Sequence, residues 1–338
     1  MATIRDVARE AGVSAGTVSN VLNRPGYVAA STRERVLAAI ADLGFTPTAR
    51  ARRYRSGRER TLGLALADLA NPFFVDVALG AEAEAKARGV GVVMVHDSED
   101  VDRERDNLDI LVQQRVHGIM LAPVEERATH LRRVDDRGIP LIYVDRVAPD
   151  STGCGVRTDD IAGGRIAGEH LVALGHRRIA FAGSFDATTQ TDLRFQGLAE
   201  AMSVVGAVPE QLPTGTWRIE DGRAVAALIH SRPRRERPTA VMCSNDLIAL
   251  GVLLEFTHRG IDVPGEISVV GFDDLTWAGA ATVPLTTVRQ PRAELGKHAV
   301  SMLLDEIDRP DEHVHEHVLL APELVVREST STAQPDAH

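Results

Sequence analysis

Hydrophobic positions in the first 45 residues recur at helical spacing. Ile4, Val7, Ala8 and Ala11 form one short stripe that stops at Gly12, and Thr3, with Asp6 three residues on, has the pattern of a side-chain cap for it. Beyond Gly12-Val13, Ser14 can cap a second helix whose stripe is Val18, Val21 and Leu22, ending near Asn23-Arg24-Pro25-Gly26. A third helix is expected from Ser31, boxed with Glu34, through Val36, Leu37, Ile40 and Leu43 to Gly44. Two helices around a tight glycine turn with a third as apolar lid predict an all-α helix-turn-helix unit over residues 1–45.

The pattern then changes twice. Residues 46–60 restart with Thr46-Pro47 as a helix entry, but TARARRYRSGRER is basic and carries little apolar stripe. Such a piece is marginal as an isolated helix; it reads either as a hinge that orders when phosphates neutralise it or as a flexible basic linker. From Thr61, apolar runs alternate with helical segments: TLGLALA, FVDVALGAEAEAKARG, VGVVMVH, RDNLDILVQQ, GIMLAP and PLIYVD. The alternation begins again at RRIAFAG, with a helix near Gln196 to Val205, then TAVMCS, a helix from Leu247 to Arg259, and SVVGF. It predicts an α/β domain of two similar lobes over residues 61–330, each a parallel sheet covered by helices, followed by a polar, disordered tail over 331–338.

Charge sharpens this division. The chain of 338 residues carries −10 overall, yet residues 1–60 hold eleven Arg against five acids, a net +6 that leaves −16 on the remainder. Guanidinium groups gain by releasing counterions from phosphates, and an acidic body limits adhesion elsewhere. The start of the chain lacks a continuous apolar run, so a membrane is not an expected partner and the cytoplasm is the expected location. Cys154 and Cys243 are far apart without CxxC spacing and read as small core residues.

Two sets of residues carry candidate chemistry. On the second helix the apolar stripe leaves Ala15, Gly16, Thr17, Ser19 and Asn20 outward; small and polar side chains suit close approach to a major groove, although short three-helix units also serve as interaction modules. In the two-lobed part, ligands of open parallel sheets bind beyond the carboxyl ends of strands. There lie Asn71-Pro72-Phe73-Phe74, Asp145-Arg146, Trp217, Asn245-Asp246 and Asp273-Asp274, with Arg194 at the start of RFQG. Carboxylates, an amide, a guanidinium fork and aromatic faces together suit a sugar-like small molecule.

The stretches TIRDVAREAGVSAGTVSNVLN and STRERVLAAIADLGFTPTARARR closely resemble the headpiece and hinge of the LacI/GalR repressor family, and the resemblance continues to about Arg327. It implies a periplasmic-binding-protein-like sensing domain that binds an effector between its lobes. It also implies a homodimer on double-stranded operator DNA, with Ala15, Gly16 and Asn20 at base-reading positions and Thr17, Ser19 and Asn23 on phosphates. Thr3, Ser14, Ala51, Tyr54 and Arg55 complete the DNA-binding set, with the hinge helix in the minor groove. Tyr54 stands where the family usually places a leucine that wedges between central base pairs. For the effector the resemblance implies Asp145, Arg194, Asn245 and Asp273, then Phe73, Arg146 and Trp217, and reads Asp246 as a helix cap near the lobe hinge.

Catalysis is not expected. P-loop and HExxH patterns are missing, and GGRIAG at 163–168 lacks the setting of a dinucleotide loop, so no cofactor is predicted. Asp145 and Asp273-Asp274 could imitate a glycosidase pair, but strand-end carboxylates also serve sugar binding. A transport-type sugar-binding protein is the competing reading of the body, opposed by the basic headpiece. His313, His315 and His317 alternate as on one strand face, yet no fourth ligand is evident, so no metal is expected. The tail lacks leucine heptads, which favours a dimer over a tetramer, and a two-fold pair of headpieces predicts a pseudo-palindromic operator.

Overall fold

A computed structural model describes residues 3–23, 25–44, 60–125, 138–146, 153–185 and 189–334. The chain divides into two compact units, Met1–Arg60 and Thr61–His338. The first holds α1 (Ile4–Glu10), α2 (Ala15–Asn23) and α3 (Ala30–Asp42). Thr3 and Asp6 form a reciprocal capping box, with Thr3 Oγ1 accepting from Asp6 N at 3.3 Å and Asp6 Oδ2 from Thr3 N at 2.9 Å. Ser14 Oγ accepts from Thr17 N at 3.0 Å. Between the helices Gly12 adopts φ +64°, a left-handed turn that a Cβ would strain. Val7, Ala8, Ala11, Val18, Val21, Val36 and Ala39 make the core.

The third helix corrects the sequence reading. It begins at Ala30, its N-cap is Ala29 without a side-chain hydrogen bond, and Ser31 lies inside the first turn. Val28, packed against the core, sets the entry instead of a hydroxyl. Leu37 and Leu43, expected in the apolar stripe, are exposed instead. Ala51, Tyr54 and Arg55 lie outside the described residues, as does the rest of the expected hinge up to residue 59.

The second unit contains two six-stranded sheets. The N-lobe sheet has the order β11-β5-β4-β3-β1-β2, built from β1 (Thr61–Leu66), β2 (Gly91–His96), β3 (Ile119–Leu121), β4 (Leu141–Val144), β5 (Gly155–Thr158) and β11 (His317–Leu320). The C-lobe sheet has the order β12-β10-β9-β8-β6-β7, from β6 (Ile179–Gly183), β7 (Glu210–Pro213), β8 (Ala240–Cys243), β9 (Ser268–Asp273), β10 (Thr286–Arg289) and β12 (Glu323–Val325). All pairings are parallel except β10 with β12. The chain passes between lobes after β5, after β10, and between β11 and β12.

Helices cover both sheets: α4 (Pro72–Ala87) and α5 (Val101–Gln113) on the N-lobe, and α6 (Asp160–Ala173), α7 (Thr189–Ser203), α8 (Ile219–Ser231) and α9 (Asp246–His258) on the C-lobe. The last, α10 (Arg292–Asp308), returns to the N-lobe, where Leu295, Ala299, Val300 and Leu303 share a core with Phe73, Phe74 and Val77. Helices α6 and α7 approach so closely that a Cβ on Gly164 would lie 2.0 Å from the Arg194 carbonyl oxygen, and one on Gly197 2.1 Å from that of Ile161. This contact brings Arg194 against the crossing after β5.

Two further expectations are revised. Arg194 lies in the second turn of a helix that starts at Thr189, not at a helix start. The expected free tail does not begin at 331: Ser331 Oγ donates to Pro264 O at 3.0 Å, and Ala333 N donates to Leu174 O at 2.8 Å. Backbone groups that sequence composition assigns to solvent, those of Ser331 and Ala333, are thus satisfied on the C-lobe. Among the described residues no helix is long and apolar enough to cross a membrane.

Candidate functional site

The strand ends of the two lobes face a cleft with about 660 Å³ of empty space, part of it open to solvent. All seven predicted effector residues, Phe73, Asp145, Arg146, Arg194, Trp217, Asn245 and Asp273, line it. Asn71 caps α4 by accepting from Phe73 N at 3.0 Å, with Pro72 in the first turn, and so delivers Phe73 and Phe74 to the N-lobe wall as an edge-on pair 5.1 Å apart. Opposite them, Arg146 lies 5.3 Å from the centre of the Trp217 ring and 5.9 Å from that of Phe74. One guanidinium therefore bridges an aromatic of each lobe.

Arg194 is the buried cation at the floor. Its Nε donates to Asp160 Oδ1 at 2.8 Å, Nη1 donates to Ser244 O at 2.5 Å, and the guanidinium sits 3.8 Å from the centre of the Phe272 ring. Asp145 and Asp273 approach this floor from opposite lobes with backbones at φ +67° and +125°. Side chains rarely occupy that region, and here it aims strand-end carboxylates inward. Asp145 Oδ1 accepts from Gln190 Nε2 at 2.9 Å across the cleft, and Asp273 Oδ1 accepts from Gln290 Nε2 at 2.6 Å. Asp273 Oδ2, Gln290 Oε1 and Arg146 Nε are buried without a hydrogen-bond partner among the described residues. Two acceptors and a donor so placed are costly unless a ligand completes them.

Burial dominates the ionisation of this cluster. It raises Asp145 to about 7, opposed by Arg146, and Asp273 to about 6, opposed by Arg194; it also raises Asp160 despite the Arg194 ion pair. A raised carboxyl holds its proton more tightly in the folded chain than in the unfolded one. Its contribution to stability is thus complete below about pH 4 and lost as pH rises towards 7. In the unliganded protein, Asp145→Asn should therefore gain stability relative to the parent between pH 5 and 8, measured by denaturant unfolding. A difference independent of pH would mean that Asp145 stays ionised throughout.

Asn245 lines the cleft as expected and also takes the cap expected of Asp246. Asn245 is the cap, with Oδ1 accepting from Ile248 N at 2.9 Å and Nδ2 donating to Trp217 O at 3.1 Å, so it borders the cleft while holding its neighbours. Asp246 is no cap: fully buried, it accepts from Thr287 Oγ1 at 2.6 Å and Leu275 N at 2.8 Å. The sequence reading missed Gln190, Thr191 and Gln290 in the lining and Asp160 beneath it. Asp160 and Gln290 follow GVRT and TTVR, strands too short and polar to stand out by apolar pattern, although the strand-end rule would have found both.

In the smaller unit, Val18 and Val21 face the core while Ala15, Gly16 and Asn20 are exposed on α2. Thr17 and Ser19 are half-buried, Ser14 and Thr3 are exposed at helix entries, and Asn23 ends the helix.

Residues 3–48 match the model of bacterial regulatory proteins of the lacI family, and residues 169–330 match that of a periplasmic binding protein-like domain. The chain is 32% identical over 335 residues to the HTH-type transcriptional repressor PurR of Photobacterium profundum, covering 97% of this chain and 98% of that one. The crystal structure of the lac repressor dimer bound to operator and the anti-inducer ONPF is 29% identical with a TM-score of 0.83, covering 98% of this chain and 99% of that one. A LacI family regulator from Enterococcus faecium with bound ribose is 26% identical with a TM-score of 0.74, covering 81% of this chain and 100% of its own.

Proposed function

We propose a function from the premise that this chain belongs to the lacI family of bacterial regulatory proteins: it is a transcriptional repressor of the cytoplasm that binds a pseudo-palindromic operator as a homodimer. A sugar or sugar-like effector in the interlobe cleft controls it. In this reading Ala15, Gly16 and Asn20 meet base edges, while Thr3, Ser14, Thr17, Ser19 and Asn23 hold the backbone, with Ala51, Tyr54 and Arg55 following in the hinge. Exposed Val75 and Leu79, one turn apart on α4, and Met94 on the edge strand β2 leave apolar surface on the N-lobe that supports pairing with a second copy.

The observation that carries the effector assignment is the buried, unpartnered Asp273 Oδ2 beside Gln290 Oε1, in a cleft walled by Phe73, Phe74 and Trp217. A ring with hydroxyl donors on its edge and C–H groups on its face satisfies both features, and the structural neighbour named with bound ribose carries a ligand of that kind. We assign the carboxylates to binding and not to hydrolysis, and no cofactor enters the scheme. Effector bound to both lobes favours one lobe orientation and couples to the operator through the dimer.

A thermal-shift screen of pentoses, hexoses, disaccharides, nucleosides and nucleobases on the full chain should find the sugar class raising the melting temperature, since a ligand of the native state stabilises it. The same sugar should change operator affinity, with the operator obtained by selection from random duplexes. A shift by nucleobases alone would overturn the sugar assignment, and selection without an enriched two-fold sequence would overturn the repressor.

A further inference from the structure

The three histidines of DEHVHEHV do not share a strand face. Strand β11 begins at His317, whose Nε2 lies 3.0 Å from Gly153 O, while His313 and His315 precede it. These two turn instead towards Cys154, just ahead of β5, with Sγ 3.1 Å from His313 Nε2 and 3.7 Å from His315 Nδ1. Glu306, in the last turn of α10, completes the group, with Oε2 4.0 Å from His313 Nε2. One ligand atom from each of the four residues lies within 4.8 Å of all the others. The expectation against a metal rested on a missing fourth ligand, and Cys154 and Glu306 remove that ground.

We propose that Cys154, His313, His315 and Glu306 form a four-coordinate site for a divalent transition metal of the zinc class, at the end of the N-lobe sheet away from the cleft. Metal–nitrogen and metal–sulfur bonds of about 2.0–2.3 Å place tetrahedral donors roughly 3.3–3.8 Å apart, which the Cys154 and His313 spacings already approach. The donor set, one thiolate, two imidazoles and one carboxylate, suits zinc or cobalt rather than magnesium or calcium. A second shell is in place. Asp305 Oδ2 lies 2.8 Å from His313 Nδ1, fixing the ring so that Nε2 faces the sulfur, and Glu316 N donates to Cys154 Sγ at 3.4 Å. His313 and His315 meet edge-on, 5.2 Å between ring centres, with both rings against the same sulfur.

The site joins the end of α10 to the start of β5 and to the segment leading into β11, so a bound ion cross-links elements distant in sequence. It is independent of the effector assignment. Cobalt(II) titrated into metal-free full chain, purified without a histidine tag, should give thiolate-to-cobalt charge-transfer absorption and intense visible bands, saturating at one equivalent. Zinc(II) should displace the colour and raise the melting temperature, and a chelator should reverse both. Cys154→Ser should lose the charge-transfer band and His315→Ala, at an exposed position, should weaken binding at least tenfold while leaving the circular dichroism unchanged. Absence of a charge-transfer band with cobalt, or a band that survives in Cys154→Ser, would overturn the proposal.

Discussion

Arg194→Ala should lower the stability of the protein by about 3–5 kcal/mol and reduce effector binding at least a hundredfold. The substitution removes the cation between Asp160, Asp145 and Asp273, together with the hydrogen bond to Ser244 O and the stack on Phe272. Removing one partner of a buried ion pair leaves the other uncompensated, and that penalty sets the magnitude. Asp160 has an escape, which is to take up a proton. The deficit should therefore be smaller at pH 5 than at pH 7.5, because the neutral acid is cheaper to bury. Arg194→Lys should recover only part of the loss: an ammonium can meet Asp160 but cannot also reach Ser244 O and lie flat on Phe272. Urea unfolding of parent and variants at the two pH values measures this directly. A loss below about 1 kcal/mol at pH 7.5 would mean that the carboxylates do not depend on Arg194.

How far such a site can be read from sequence depends on the range of the interactions that build it. The Thr3–Asp6 box, the Ser14 cap and the Gly12 turn are settled within four residues and are legible in the chain. The entry of α3 is not, since packing of Val28 overrides the hydroxyl of Ser31. In the cleft, Asp145 and Asp273 are legible because each ends a strongly apolar strand. Gln190 is not: its role arises from reaching across the cleft to Asp145, a residue 45 positions away. The cluster at Cys154 is the extreme case. Its thiol and His313 are separated by 159 positions and meet only because β11 pairs with β5 after the chain has passed once through the other lobe. Alternating histidines suggested a strand face, whereas the segment ahead of β11 turns His313 and His315 towards Cys154, and His317, opening the strand, meets a backbone carbonyl.

Gly16→Glu should abolish operator binding while leaving the headpiece as stable as before or more so, a combination that separates an interface role from a structural one. Gly16 lies in the first turn of α2, and a Cβ there would meet only Ser14 Oγ, at 3.6 Å, an ordinary contact. Glycine inside a helix costs roughly 0.5–1 kcal/mol relative to alanine, so most replacements relieve that cost. A carboxylate near the helix N-terminus also meets the positive end of the helix dipole. The fold thus gives no reason for the smallest residue at this position. A reading helix does: with Ala15 and Asn20 exposed beside it, the backbone can approach base edges, and a glutamate would both hold it off and face the phosphates. The expected loss is on the order of a hundredfold or more, with an unchanged or raised melting temperature. Charge alone must be separated from position, and Ala38→Glu on the exposed face of α3 makes the same change of charge at a site assigned to the lid. It should cost at most a few-fold. Equal losses at the two positions would reduce the effect to net charge, and full binding by Gly16→Glu would remove α2 from the DNA interface.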